Sequence, residues 1–170
     1  ANPGNWDALP DGVNVLAVSI PVGAGLGAVY DAAAGVTSLQ SLNSALPFSL
    51  TGGILKVSGS ASLGSFEQTG GNLAGGGRLQ VNGRFVQTGG AITMGAIDVV
   101  QPSGDLTFAA MSAPVVSLDV PGGSIRQTGP ITTAQLKTSS ASGTALTDAG
   151  NRINSFEAGN SGLGDIALVN

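Results

Sequence analysis

Along residues 79–87, Leu79, Val81, Phe85 and Gln87 fall on one parity, and Gln80, Asn82 and Arg84 on the other. A period of two is that of a strand, whose successive side chains point to opposite faces. The first set is therefore placed inward and the second outward. Similar short alternating bursts, bounded by Gly, Ser and Asn, run through most of the chain, which predicts an all-β fold of many strands. The most apolar region, 13–36, is broken by Asn14, Ser19, Pro21, four glycines and Asp31. A membrane helix needs roughly 20 predominantly apolar residues, so strands are predicted there too.

The bursts also recur. Phe66-Glu67-Gln68-Thr69-Gly70-Gly71 returns as Phe85-Val86-Gln87-Thr88-Gly89-Gly90. Phe48, Leu50, Thr51, Gly52 and Gly53 fit the phrase, with Leu in the Gln slot. Looser matches begin at Val99, which puts Gln101 in that slot, and at Ile125, which puts Gln127 there. A second phrase, Leu-x-Val-x-Gly, starts at Leu55, Leu79 and Leu118. A unit of about 20 residues cannot bury its apolar face alone, so such repeats stack. The prediction is a right-handed parallel β-helix (a β-solenoid) with irregular coils of about 19–20 residues. Leu50, Gln68, Gln87, Gln101 and Gln127 would pile up at one inward corner, with the glutamines sharing amide bonds along the axis. Gly70, Gly71, Gly89 and Gly90 would be corners, where positive φ is needed. The stretch 72–77 reads as a further turn.

One domain over 1–170 is expected. Residues 46–170 form the repetitive coils, and 1–45, which repeat poorly, an N-terminal cap and irregular first coils. Trp6, the sole Trp, reads as a plug on the first coil, or alternatively as a sugar-stacking platform. The segment 23–34 leaves room for a short helix, against its glycine content. Residues 165–169 read as a strand of a further coil. Solenoids need covered ends, so the C-terminal coil is expected to continue or to stack on a partner.

Charge is sparse, with six basic and ten acidic residues and no His or Cys. The cations are scattered, which argues against nucleic acid and against an anionic membrane surface. Without Cys there are no disulfides or thiolates, and without His the commonest general base and zinc ligand are gone. Parallel β-coils include enzymes of acidic polysaccharides, so acidic clusters matter. Asp98 with Asp105, and Glu67 with Arg84 or Arg126, could meet across coils. Thr51, Thr69, Thr88 and Thr128 share one slot and could form a line, broken at Pro102, of the kind that orders water. No phosphate loop or Gly-x-Ser-x-Gly elbow is present. No catalytic, cofactor-binding or metal-binding residue is assigned, and the chain is read as no enzyme.

Asn5-Trp6-Asp7, Leu9-Pro10-Asp11-Gly12-Val13-Asn14-Val15 and the Gly52-to-Gly59 run, together with the tail from Leu146 to Leu168, resemble the filamentous-haemagglutinin-like, β-strand-repeat adhesins of bacteria. Those proteins are far longer. The resemblance implies export to the cell surface or medium and a structural or adhesive role. Partners would be a surface glycan or protein, or further copies end to end, with no membrane insertion and no nucleic acid. A carbohydrate-active enzyme, a glycan-binding module and a self-stacking fibre subunit remain as alternatives.

Overall fold

The structure, a computed structural model, describes residues 15–23 and 26–170. Trp6 lies outside the described residues. All described strands join one sheet system in parallel, wound as a β-solenoid of about seven turns, with no α-helix among the described residues. The coil that starts at Phe66 shows the plan. Residues 66–68 form one face, Asn72–Ala74 a second and Arg78–Asn82 a third, before Phe85–Gln87 resumes the first face above. The 72–77 stretch is therefore not all turn. Asn72–Ala74 is a strand with Leu73 buried, and only 75–77 turns.

Like stacks on like. On the first face, Ala28 pairs with Phe48, Phe48 with Phe66, and Phe66 with Phe85. The Thr107–Val86 pairing places Leu106 over Phe85, and Ile125, Thr144 and Ile166 continue the column. Ring centroids of Phe48 and Phe66 are 6.2 Å apart and those of Phe66 and Phe85 5.8 Å, within the range in which aromatic pairs attract. Leu79, Val81, Phe85 and Gln87 are all buried, while Asn82 and Arg84 are exposed. The parity of the sequence thus fixes the faces correctly.

Two alignments of the sequence do not hold in space. Phe108, not Gln101, stands over Gln87 and under Gln127. Gln101 instead follows Ala96–Val100 at the end of the third face. It continues the inward parity of Ile97 and Val99, and the Gln-Pro-Ser-Gly phrase belongs to a different corner. The Leu-x-Val-x-Gly phrase also marks no single place. Leu55 pairs with Leu73 on the second face, whereas Leu79 and Val81 pair with Ile97 and Val99 on the third. Val99 in turn pairs with Leu118, so Leu118 matches Val81 and not Leu79. Leu-x-Val is a strand preference shared by two faces.

The coils extend below residue 46. Val15–Ile20 and Ala28–Tyr30 pair with the long strand Val36–Leu50. That strand and Ile54–Gln68 bend around corners through register shifts near Gln40 and between Ser44 and Pro47, as bulges bend strands. Among its described residues, the segment 23–34 holds the short strand Ala28–Tyr30 and one 3-10 turn, Ala32–Ala34, capped by Asp31 accepting from Ala33 N at 2.9 Å.

All four glycines of the Gln-Thr-Gly-Gly phrases need space. A Cβ on Gly70 or Gly89 would lie 2.6 Å from a carbonyl oxygen of the coil below, and one on Gly71 or Gly90 would be as close or closer to backbone. Gly71 and Gly90 also have positive φ, 67° and 76°. The corner 75–77 gives a contrast. A Cβ on Gly77 would overlap the backbone of Gly59, while one on Gly76 would meet nothing within 4 Å. Gly77→Ala is therefore expected to lower unfolding free energy by more than about 2 kcal/mol and Gly76→Ala to change it by less than about 0.5 kcal/mol, as read from urea denaturation of the two variants.

Candidate functional site

Five buried or half-buried amide side chains sit at the corners. Gln68 and Gln87 are in register, but they do not share a ladder of amide bonds. Gln68 Nε2 donates to the carbonyls of Gly71 at 3.0 Å and Ala91 at 3.2 Å. Gln87 Nε2 donates to Ala110 O, and Gln87 Oε1 accepts from Ala109 N. Gln101 Oε1 accepts from Phe85 N, while its Nε2 donates to Gly104 O and Asp105 O. Each amide bonds the backbone groups that a corner takes out of the strand ladder, because a buried backbone group without a partner is costly. Gln127 Nε2 likewise donates to Gly129 O at 2.8 Å, and Gln127 and Asn151 in addition bond each other in both directions at 2.9 and 3.1 Å. Gln68 Oε1 and Thr138 Oγ1 are buried without a protein partner.

Asn151 is the most connected of these groups. Its Oδ1 also accepts from Ile131 N at 3.0 Å, and its Nδ2 donates to Leu146 O and Val169 O. An Asn-Arg-Ile stretch in the tail offers no sign of this from sequence, since Asn151 falls in no repeat slot.

The charged groups that could have met across coils do not pair among the described residues. Asp98 binds Arg78, and Lys137 binds Glu157, on the outward side of the third face. Val86 and Thr107 separate Glu67 from Arg126 in their outward column. Asp105 turns to Ser124, accepting from its backbone N and its Oγ, each at 2.8 Å. These bonds, the backbone one first and then the hydroxyl, hold the Asp105 carboxyl below the usual value against a small opposing effect of burial, and the charge of Arg126 adds to the lowering. Asp98 and Asp105 thus serve different partners, so they form no acid–base pair. Among the described residues, no group of three or more acidic side chains could hold a metal ion.

The threonine line exists in part. Thr69 N bonds Leu50 O, Thr88 N bonds Gln68 O and Thr128 N bonds Phe108 O, so these three and Thr51 occupy one exposed corner. Ala109, following Phe108, interrupts it, rather than Pro102. The row is one residue wide.

A groove of about 220 Å³ opens on the first face where the later coils meet their corner. In the outward column Arg126 is followed by Ala145 and Ala167, so two small side chains form the floor beside the guanidinium. Ser142 and Asp165 line the rim. The corner carrying Asp165 is stapled by Asn160 Nδ2, which donates to Gly162 O and Gly164 O. Sequence reading missed this groove. It depends on which coil puts alanine above arginine, and the irregular tail intervals hide that alignment.

No family model, curated protein or solved structure matches the chain.

Replacing Asn151 by Leu would keep the volume but strand Ile131 N and two carbonyls. Each buried unsatisfied group costs about 1–3 kcal/mol, so a loss of at least about 2 kcal/mol is expected in urea unfolding. Asp105 gives a pH prediction. Its folded-state pKa is lowered, so its ionised form stabilises the fold above the unfolded value of about 4, and that stabilisation disappears as pH falls through the folded-state pKa. Asp105→Asn should therefore lower the urea midpoint at neutral pH, and the two midpoint curves should converge under strongly acidic conditions.

Proposed function

We propose that this chain is a non-enzymatic segment of an exported bacterial surface adhesin or extracellular fibre, serving as a stiff spacer that holds binding surfaces away from the cell. The observation that carries this reading is the unbroken stack of about seven coils around a filled core. At about 4.8 Å per coil the stack adds roughly 30 Å of length. Continuous backbone ladders and tight glycine corners resist bending, because any bend must stretch hydrogen bonds on one side. The absence of Cys suits a chain exported unfolded, and the resemblance of the Gly52-to-Gly59 run to adhesin coils points the same way.

A second reading, a fibre subunit that stacks end to end, draws on the exposed large apolar side chains. Val22, Leu26, Val29 and Val36 belong to the first described coils, and Leu163, Ile166 and Val169 to the last, with Val115 alone between. Concentration-dependent sedimentation of the chain would favour the fibre over the spacer.

The spacer reading is tested on the producing cells. An antibody against the folded chain should label intact cells or their medium without permeabilisation. Labelling only after lysis would reject export, and turnover of an acidic polysaccharide by the purified chain would reject the non-enzymatic role.

A further inference from the structure

The groove beside Arg126 has features that a spacer does not need. Its volume of about 220 Å³ is below the roughly 300–1,000 Å³ of sites for drug-sized ligands, which limits an occupant to about one ring. Its lining combines two small apolar side chains, Ala145 and Ala167, with a few polar groups, Arg126, Ser142 and Asp165.

Those groups differ in kind. The Arg126 guanidinium only donates, the Asp165 carboxylate only accepts, and the Ser142 hydroxyl does both. Neither charged group takes part in an ion pair among the described residues, where the pairs are Arg78–Asp98 and Lys137–Glu157. The charge balance also selects. Arg126 and Asp165 both line the groove, so its lining carries one charge of each sign. An anion would meet the Asp165 carboxylate as well as the guanidinium, and a cation would meet the guanidinium as well as the carboxylate. A neutral molecule carrying several hydroxyl groups uses donor and acceptor together, and one with an apolar C–H face can rest on the alanines.

We propose that the groove binds a single neutral pyranose ring, with neighbouring hydroxyls shared between Arg126 and Asp165 and the ring face on Ala145 and Ala167. The site is shallow and has no aromatic platform among its lining residues, so affinity for one sugar is weak and becomes useful when many sites act together. The inference is independent of the spacer reading, since a spacer without the groove would be equally stiff.

The test is an amide chemical-shift titration of the full chain with methyl glucoside, methyl mannoside and methyl galactoside as probes, and with glucuronate and glucosamine as charged counterparts. The expected result is saturable millimolar binding of at least one neutral glycoside, with shifts confined to 124–126, 142–145 and 165–167. Arg126→Gln and Asp165→Asn should each weaken it at least tenfold, and Ala145→Leu should abolish it by filling the floor. Glu67→Gln, in the same outward column but away from the groove, should leave it unchanged and retain the wild-type spectrum elsewhere. Shifts outside the groove, affinity unaltered by the Arg126 and Asp165 variants, tighter binding of glucuronate or glucosamine than of the neutral glycosides, or no saturable shift with any probe would each overturn the proposal.

Discussion

The parallel, in-register hydrogen bonding of one coil to the next is the constraint on which the rest depends. It brings residues about 19 positions apart face to face, as Phe48, Phe66 and Phe85 show. A column then has to tolerate its own side chain repeated at strand spacing, about 4.8 Å. Phenylalanine, leucine and valine tolerate this by interdigitating. Lysine, arginine and the acids do not, because like charges stacked at that distance repel. The rarity of charge in this chain follows from its geometry. The two ion pairs on the outward side of the third face join opposite signs, Lys137 with Glu157 in register and Arg78 with Asp98 diagonally.

Corners impose the second constraint. A chain turning three times per coil removes backbone groups from the ladder at each turn, and those groups face a dry interior. The amides of Gln68, Gln87, Gln101, Gln127 and Asn151 supply the missing partners. Glycine solves the steric half of the same problem, through positive φ at Gly71 and Gly90 and through close approach at Gly70 and Gly77. The Gln-Thr-Gly-Gly phrase is the sequence record of both solutions placed side by side.

This explains what was legible beforehand. Parallel coiling, the inward set of Leu79, Val81, Phe85 and Gln87, and the corner role of the glycines all follow from alternation and recurrence, which are local in sequence. The assignment of Gln101 failed because its phrase fits one corner while its neighbours Ile97 and Val99 fix it to another. Periodic phrases identify that a corner exists, but the accumulated length of each coil decides which corner. The groove was hidden for the same reason. Arg126, Ala145 and Ala167 become neighbours only once coils of unequal length are laid on one another. Asn151 was missed because its five bonds arise from a place in the core and not from any motif.

The core changes character along the axis. Its early coils carry Phe48, Phe66 and Phe85, while the column above them thins to Leu106, Ile125 and Thr144. The later interior also holds the buried hydroxyls of Ser124, Thr133, Thr138, Ser140 and Thr144. Each coil in such a stack leans only on its immediate neighbours, so cohesion is graded and not shared evenly. Opening is therefore expected to cost more around Phe66, where aromatic rings stack, than above Ile125, where the column is smaller and partly polar. The groove beside Arg126 thus sits on coils whose first-face column has lost its aromatic rings.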